Sequence, residues 1–499
     1  MKLYAAIYIG SYEVAMKLFQ TKKDEKPKEI NCMRHAVRVI YDIFDYSEIS
    51  LQTTEEICRI LSDMKNTMEA YKIKDYTLAI GNTIHVASNE IFLLEQIRLK
   101  TGMIPVRLSN SEQRFYEYEA VSSGDYFEEV INNSAIMVDI GGSSLQLTYF
   151  KKSSIVTTQH LDLGTFNMHK TMQKLKSVPN GREQIDTVID KELETFLNMF
   201  LNDDKIEYLI IIADRKVPSG KKADITDKII FGKDEFRQIL EKEWNKNVFV
   251  EDTFTGSLER SLFILIREII DMLPAEKVVI PNTSINDGMA LDYLYKNKTL
   301  ISNHNFKNDI INASWAIAKR YESYFPHLMT LEKLSVKIFD AMKRYHGMTE
   351  RERLLLQVAV ILHDCGKYIS LNEASKCSNR IILSSEILGL SHKERQMIAA
   401  IAEYNRLDIP PYSELSGRFS ASEYWTVVKL VAILKVANAL DRSHKQKLKK
   451  ADIHIRKNEL IIGVGSESSI ALERGLFTEK ADFFEKVFDI RPVIVEEKR

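Results

Sequence analysis

Residues Ser134–Phe150 read SAIMVDIGGSSLQLTYF, and the fold is decided on them. An apolar run through Ile140 meets a glycine-serine turn, after which apolar residues alternate with polar ones: strand, tight turn, strand. The same pattern opens the chain. Leu3–Ile9 alternates, Gly10-Ser11 turns, and Val14, Met16 and Leu18 resume the alternation as a second β-hairpin. A device used twice, about 130 residues apart, predicts two related α/β lobes.

Working outward, helices are expected at Thr53–Tyr71, Ile91–Thr101 and Ser111–Ser122, with a strand at Tyr76–Ile80. Beyond the second hairpin, strands at Tyr208–Ala213 and Val278–Pro281 alternate with helices at Ile185–Phe200, Lys233–Trp244 and Gly256–Met272. From Asn305 the pattern is helix after helix until Ala451. There DIHIRKNELIIGV, EKADFFEKVF and RPVIVEE predict a small α+β cap.

A single core rarely exceeds about 300 residues, so 499 residues imply two to four domains. Hydrophobic content of 45% and charged content of 28% exclude disordered, collagen-like and coiled-coil classes. The net charge of −1 argues against a dedicated nucleic-acid binder, but it conceals an asymmetry. Residues 1–300 carry 38 basic and 45 acidic side chains, whereas residues 301–499 carry 31 and 25. Apolar runs such as LFILIREIIDML are broken by charges, so no membrane span is expected. Cys32, Cys58, Cys365 and Cys377 form no CxxC pair, and the amino terminus lacks a small-residue cleavage site. Both point to a reducing, cytoplasmic setting.

Glycine turns let main-chain N–H groups approach a phosphate, and serine hydroxyls add donors. Gly10-Ser11 and Gly141-Gly142-Ser143 would clamp a phosphate chain if they faced each other; each alone also reads as an ordinary hairpin turn. Asp139, at a strand end, could hold Mg²⁺. Ser109-x-x-Glu112 fits a helix capping box, and Glu112 equally fits a general base that directs water onto phosphorus.

Taken in order, these segments resemble the exopolyphosphatase/guanosine pentaphosphate phosphohydrolase (Ppx/GppA) family along essentially the whole chain. IYIGSYEV (Ile7–Val14) resembles the family's IDIGSNSV, Gly81–Asn89 its TSALREAxN, and DIGGSSLQL (Asp139–Leu147) its DIGGGSTEL. Leu163-Gly164 and Asn286-Asp287-Gly288 resemble its later LG and LREG turns. The resemblance implies two actin-like (RNase H-like) α/β lobes, an all-α HD-like domain and a small α+β cap, drawn at residues 1–125, 126–303, 304–447 and 448–499. It implies Glu112 as the catalytic residue. Gly10, Ser11, His85, Gly141, Gly142 and Ser143 would bind phosphate, with Asp139 and Gln146 at a Mg²⁺ site.

The implied reaction is release of terminal phosphate from inorganic polyphosphate or guanosine pentaphosphate, by a homodimer. Three departures favour an alternative, a binding protein that senses a phosphorylated ligand without turnover. Tyr8 replaces an acidic residue, His85 an arginine and Gln146 a glutamate. Ile212-Ala213-Asp214-Arg215 stands where the family has a glycine-rich loop, and Arg215 could restore a positive charge.

In the helical half, LHDCGK (Leu362–Lys367) resembles the HD signature LHDxGK. His327, His363, Asp364 and Asn438 would form its metal site, with Asp441 one turn beyond, and Cys377 and Asn379 lie where relatives often show KHSxY. This half could hydrolyse phosphate esters with a metal; equally, His363 and Asp364 could simply pack helices. The basic run KQKLKK, with Lys447, Lys449 and Lys450, is either a solvated face or a landing strip for a polyanion.

Overall fold

The computed structural model describes residues 2–175, 181–201, 204–218, 228–246, 254–465 and 469–497. The chain divides into two compact units, Met1–Phe306 and Lys307–Arg499.

The first unit holds two sheets. Strands β1 (Lys2–Ile9), β2 (Glu13–Thr21), β3 (Lys28–Ala36), β4 (Asp75–Ile80) and β5 (Val106–Arg107) lie in the order β3-β2-β1-β4-β5. Both predicted hairpins are present. β1 runs antiparallel to β2 from Lys2↔Thr21 to Ile9↔Val14, and parallel to β4. The second sheet comprises β6 (Ala135–Ile140), β7 (Leu145–Lys151), β8 (Ser154–Leu161), β9 (Ile206–Ala213), β10 (Lys228–Gly232) and β11 (Ala275–Pro281). Its order is β10-β11-β9-β6-β7-β8. Apart from β10 at its edge, this repeats the first sheet strand for strand, with β6 antiparallel to β7 and parallel to β9. The two sheets are the expected actin-like pair.

The central strands carry apolar residues on both faces because both faces are covered: all six residues of β6 are buried. One core lies on the second sheet, from Ile136 and Val138 to Leu262 and Ile266. Another covers the first, from Ile7 and Ile9 to Leu61 and Met64.

The second unit is helical until its cap. Its helices include Phe325–Ala341, Glu350–Leu362, Ala374–Ser384, His392–Tyr404 and Ala421–Leu440. Ala421–Leu440 is buried from Val427 to Leu440 but for Lys429 and Asn438, which explains its near-continuous apolar sequence. β12 (Asp452–Arg456), β13 (Glu459–Gly465) and β14 (Arg491–Glu497) form a three-stranded sheet in that order, with the Ala471–Phe488 helix between β13 and β14. No helix among the described residues is long and apolar enough to cross a membrane.

Candidate functional site

The two glycine turns are built alike. Gly10 N donates to Glu13 O at 2.9 Å, and Gly141 N to Ser144 O at 3.0 Å, so each hairpin closes through the same four-residue turn. Both turns line one cleft of about 1500 Å³ in the first unit. Its lining includes Gly10, Ser11, Gly141, Gly142, Ser143 and Asp139. The two loops singled out in the sequence thus line a single space. Gly164 explains how the second loop is held. Any Cβ there would run into Gly142 O and the Ser143 carbonyl carbon, and the following amides, Thr165 N and Phe166 N, donate to Gly141 O and Gly142 O.

The Asn110–Ser122 helix supplies one wall. Ser109 caps it in a full capping box: Glu112 N donates to Ser109 Oγ, while Glu112 Oε2 accepts from Ser109 N at 2.9 Å and Ser109 Oγ at 2.6 Å. The capping alternative for Glu112 is therefore the one observed, and its carboxylate is absent from the cleft lining. Asn110, Gln113, Arg114 and Glu117 of the same helix do line the cleft. Their spacing at i, i+3, i+4 and i+7 marks one polar helix face, the signal that could have found them.

Arg114 is buried and ties this helix to the second loop. Its guanidinium donates to Asp139 O at 3.0 Å, Ser144 O at 3.1 Å and Ser144 Oγ at 3.0 Å, and pairs with Asp139 Oδ2 at 2.7 Å. Glu117 Oε2 is sealed from solvent and has no hydrogen-bond partner. Burial, then the adjacent Asp139 carboxyl, pushes Glu117 well above the usual carboxylate range. Asp214, on the loop after β9, opens into the cleft. The enclosing protein pushes its carboxyl up to about 7, against the pull of Arg215. Tyr8 stands among these acids. Burial, followed by Glu117, Asp214 and Asp139, raises its phenol well above the ordinary value.

Other expected residues lie differently. His85 is outside the cleft lining, with Nδ1 at 2.5 Å from Glu90 Oε1 and Nε2 at 2.9 Å from Leu108 O. Gln146 lies directly across the ladder from Asp139, so the two side chains share a sheet face. It is 1% exposed, and neither amide atom has a hydrogen-bond partner. Arg215 lines the cleft, bonds Glu259 Oε1 at 2.9 Å and lies over the Tyr12 ring. Asn286 and Asp287 are structural ties. Asn286 Nδ2 donates to Ala6 O and Ala15 O, and Asp287 pairs with Lys17.

Glu117, Asp139 and Asp214 bring hard carboxyl oxygens, the donor type that Mg²⁺ takes, to the cleft lining. Among the described residues, however, the carboxyl and imidazole ligand atoms that lie within 4.8 Å of one another as a group of three are those of His327, His363 and Asp364.

In the second unit, His327, His363 and Asp364 come together: one ligand atom from each lies within 4.8 Å of the others. Asn438 is half-buried, and its main-chain carbonyl accepts Asp441 N at 3.3 Å. Asp441 is the residue that reaches His327, with Oδ2 at 2.8 Å from Nδ1. Asn379 Nδ2 donates to Glu403 Oε2, and Cys377 is a half-buried free thiol. In the basic run, Lys447 is bound to Ser469 O and Glu473 Oε2, while Lys449 and Lys450 are exposed.

Among solved structures similar to this chain is a Ppx/GppA family member from Aquifex aeolicus. It is 14% identical, with a TM-score of 0.47, over 61% of this chain and 99% of that one. An exopolyphosphatase from Cytophaga hutchinsonii is 11% identical, with a TM-score of 0.49, over 60% of this chain and all of that one. No curated relative matches the chain. A sequence-family match falls in the second unit: residues 314–479 match the model described as Ppx/GppA phosphatase, domain III.

Proposed function

We propose that the cleft of the first unit is a phosphohydrolase site that removes the terminal phosphate of a linear phosphoanhydride, inorganic polyphosphate or guanosine pentaphosphate. The observation that carries this reading is the convergence of Glu117, Asp139 and Asp214 with the Gly10-Ser11 and Gly141–Ser143 loops on one cleft. The Ppx/GppA domain in the second unit supports phosphatase chemistry in general. The loop amides and serine hydroxyls would hold phosphate oxygens, and Arg114 would keep the second loop and Asp139 in register. Asp139 and Asp214, with Gln146 behind Asp139, would hold Mg²⁺, which when bound offsets charge on the transferring phosphoryl group. Glu117 takes the general-base role expected of Glu112. Its raised proton affinity makes its ionised form a stronger base toward attacking water than an ordinary carboxylate, a role it takes once it has ionised.

Phosphate release by the purified chain with Mg²⁺, measured on both substrates beside Glu117→Gln, tests this. Loss of release in the variant supports the assignment; equal rates for the two proteins on both substrates would sink it. A second reading, a sensor that binds without turnover, is favoured by Tyr8 standing among the cleft acids. Saturable calorimetric binding of either compound with no phosphate release selects it.

A further inference from the structure

We propose that the Tyr8 hydroxyl is a ligand contact of the cleft, donating a hydrogen bond to an oxygen of the bound terminal phosphoryl group. The proposal rests on the reading of the cleft as a phosphate site, and the contact serves turnover and binding without turnover alike.

Tyr8 lies on β1, two residues before Gly10, and its half-buried side chain lines the cleft. Two glycines make a berth for the ring. A Cβ on Gly10 would lie 3.0 Å from Tyr8 Cε1, and one on Gly81 only 2.2 Å from the phenol oxygen. Gly81 has φ −69° and ψ 153°, extended backbone that any residue adopts, so no turn calls for glycine there. The phenol oxygen does, because it fills the space a side chain would take. The two positions also depart from the family pattern together: Tyr8 stands for an acidic residue, and Gly81 for the threonine of TSALREAxN. A larger group at one position is matched by the loss of a side chain at the other, so the phenol is fitted to this place.

The chemistry of the position calls for a donor. The enclosing protein, followed by Glu117, Asp214 and Asp139, holds the phenol's proton in place, so its oxygen presents a hydrogen to the cleft. The two cations that act on the same acids are engaged, Arg114 by Asp139 and Ser144, and Arg215 by Glu259. A phosphoryl group entering among carboxyls needs donors that add no negative charge. A neutral phenol supplies one where a carboxylate would repel it. Asn82 and Thr83, which follow Gly81, line the same cleft and continue the run of uncharged polar groups.

The test is calorimetric binding of methylenediphosphonate, whose P–C–P bridge resists hydrolysis, to the full chain with Mg²⁺. The wild type should bind it saturably. Tyr8→Phe keeps the ring against both glycines and should weaken binding about tenfold to 100-fold, the range for a hydrogen bond to a charged group, with the unfolding midpoint unchanged. Gly81→Ala keeps the hydroxyl but displaces it. It should cost a similar factor alone, and almost nothing more when added to Tyr8→Phe. Wild-type or tighter affinity in Tyr8→Phe, or an equal loss from Gly81→Ala in both backgrounds, would overturn the proposal and leave the cleft a phosphate site. Absence of saturable binding by the wild type would overturn both.

Discussion

The cleft of the first unit and the histidine pocket of the second are opposite solutions to the placing of reactive groups. The cleft is wide, about 1500 Å³, and is lined by glycine-turn residues and carboxyls that loops and one helix face bring together. The pocket is narrow and dry, with its imidazoles held from behind by Asp441 and Val360. Dehydration acts on both, with opposite results. It raises the Glu117 carboxyl and lowers the His363 imidazole, so each group favours its neutral form. The Glu117 carboxyl must lose its proton before it can accept one from water, whereas a neutral imidazole already offers a lone pair.

The largest effect that would break this contrast is on turnover. Glu117→Gln should lower phosphate release by about 10²–10⁴-fold in a steady-state assay, the range for loss of a general base. Next come two glycines. Gly164→Ala forces a Cβ onto the Gly142–Ser143 backbone and should cost about 1–3 kcal/mol in denaturant unfolding, together with phosphate release. Gly366→Ala drives a Cβ into Ala374 O and Ser378 N and should cost a similar amount, but with Co²⁺ affinity of the His327, His363 and Asp364 cluster as the accompanying loss. Were Gly164→Ala to weaken Co²⁺ binding as much as Gly366→Ala does, the two regions would not be separate.

Glu112→Ala should remove about 1 kcal/mol of stability through its cap, a far smaller consequence for turnover than that of Glu117→Gln. The smallest effect is on acid stability. Burial holds the His346 imidazole below its ordinary value, so the folded state resists a proton that the unfolded chain accepts near pH 6.5. Stability present above that pH is lost as pH falls through it. The unfolding midpoint of the wild type should therefore drop further between pH 7.5 and 5.5 than that of His346→Gln.

What was legible in the sequence was whatever repeats along the chain. Both hairpins, the order of central strands and helices, and the Gly/Ser loops follow from alternation and turn chemistry, which act locally. The choice left open for Glu112, cap or base, turns on direction around a helix. Glu112 and Glu117 are five residues apart, about 140° around the axis, so only one of them can face the cleft. Glu112 occupies the third helical position and is drawn back to its cap. His85 was expected at phosphate from its place in a motif, but its two nitrogens are satisfied by Glu90 and Leu108, partners no local pattern reveals. Asp441 is the converse case. It was noticed as a neighbour of Asn438, yet its role depends on His327, 114 residues away. β3 went unread because an edge strand with mostly exposed side chains, KEINCMRHA, lacks the apolar alternation that announces a strand.

The borders of the two sheets bear on how copies of this chain meet in concentrated solution. A sheet that ends in a long bare strand invites a neighbouring chain to extend it hydrogen bond by hydrogen bond. Here one edge of the first sheet is β5, only two residues long, with Ile104 and Val106 exposing apolar side chains there, while its other edge is the nine-residue β3 with its charged KEINCMRHA sequence. The second is closed on one side by β10, laid antiparallel against β11. A passing chain would find stickiness at the β5 border but scarcely any ladder to climb, which disfavours fibrous self-assembly along that edge.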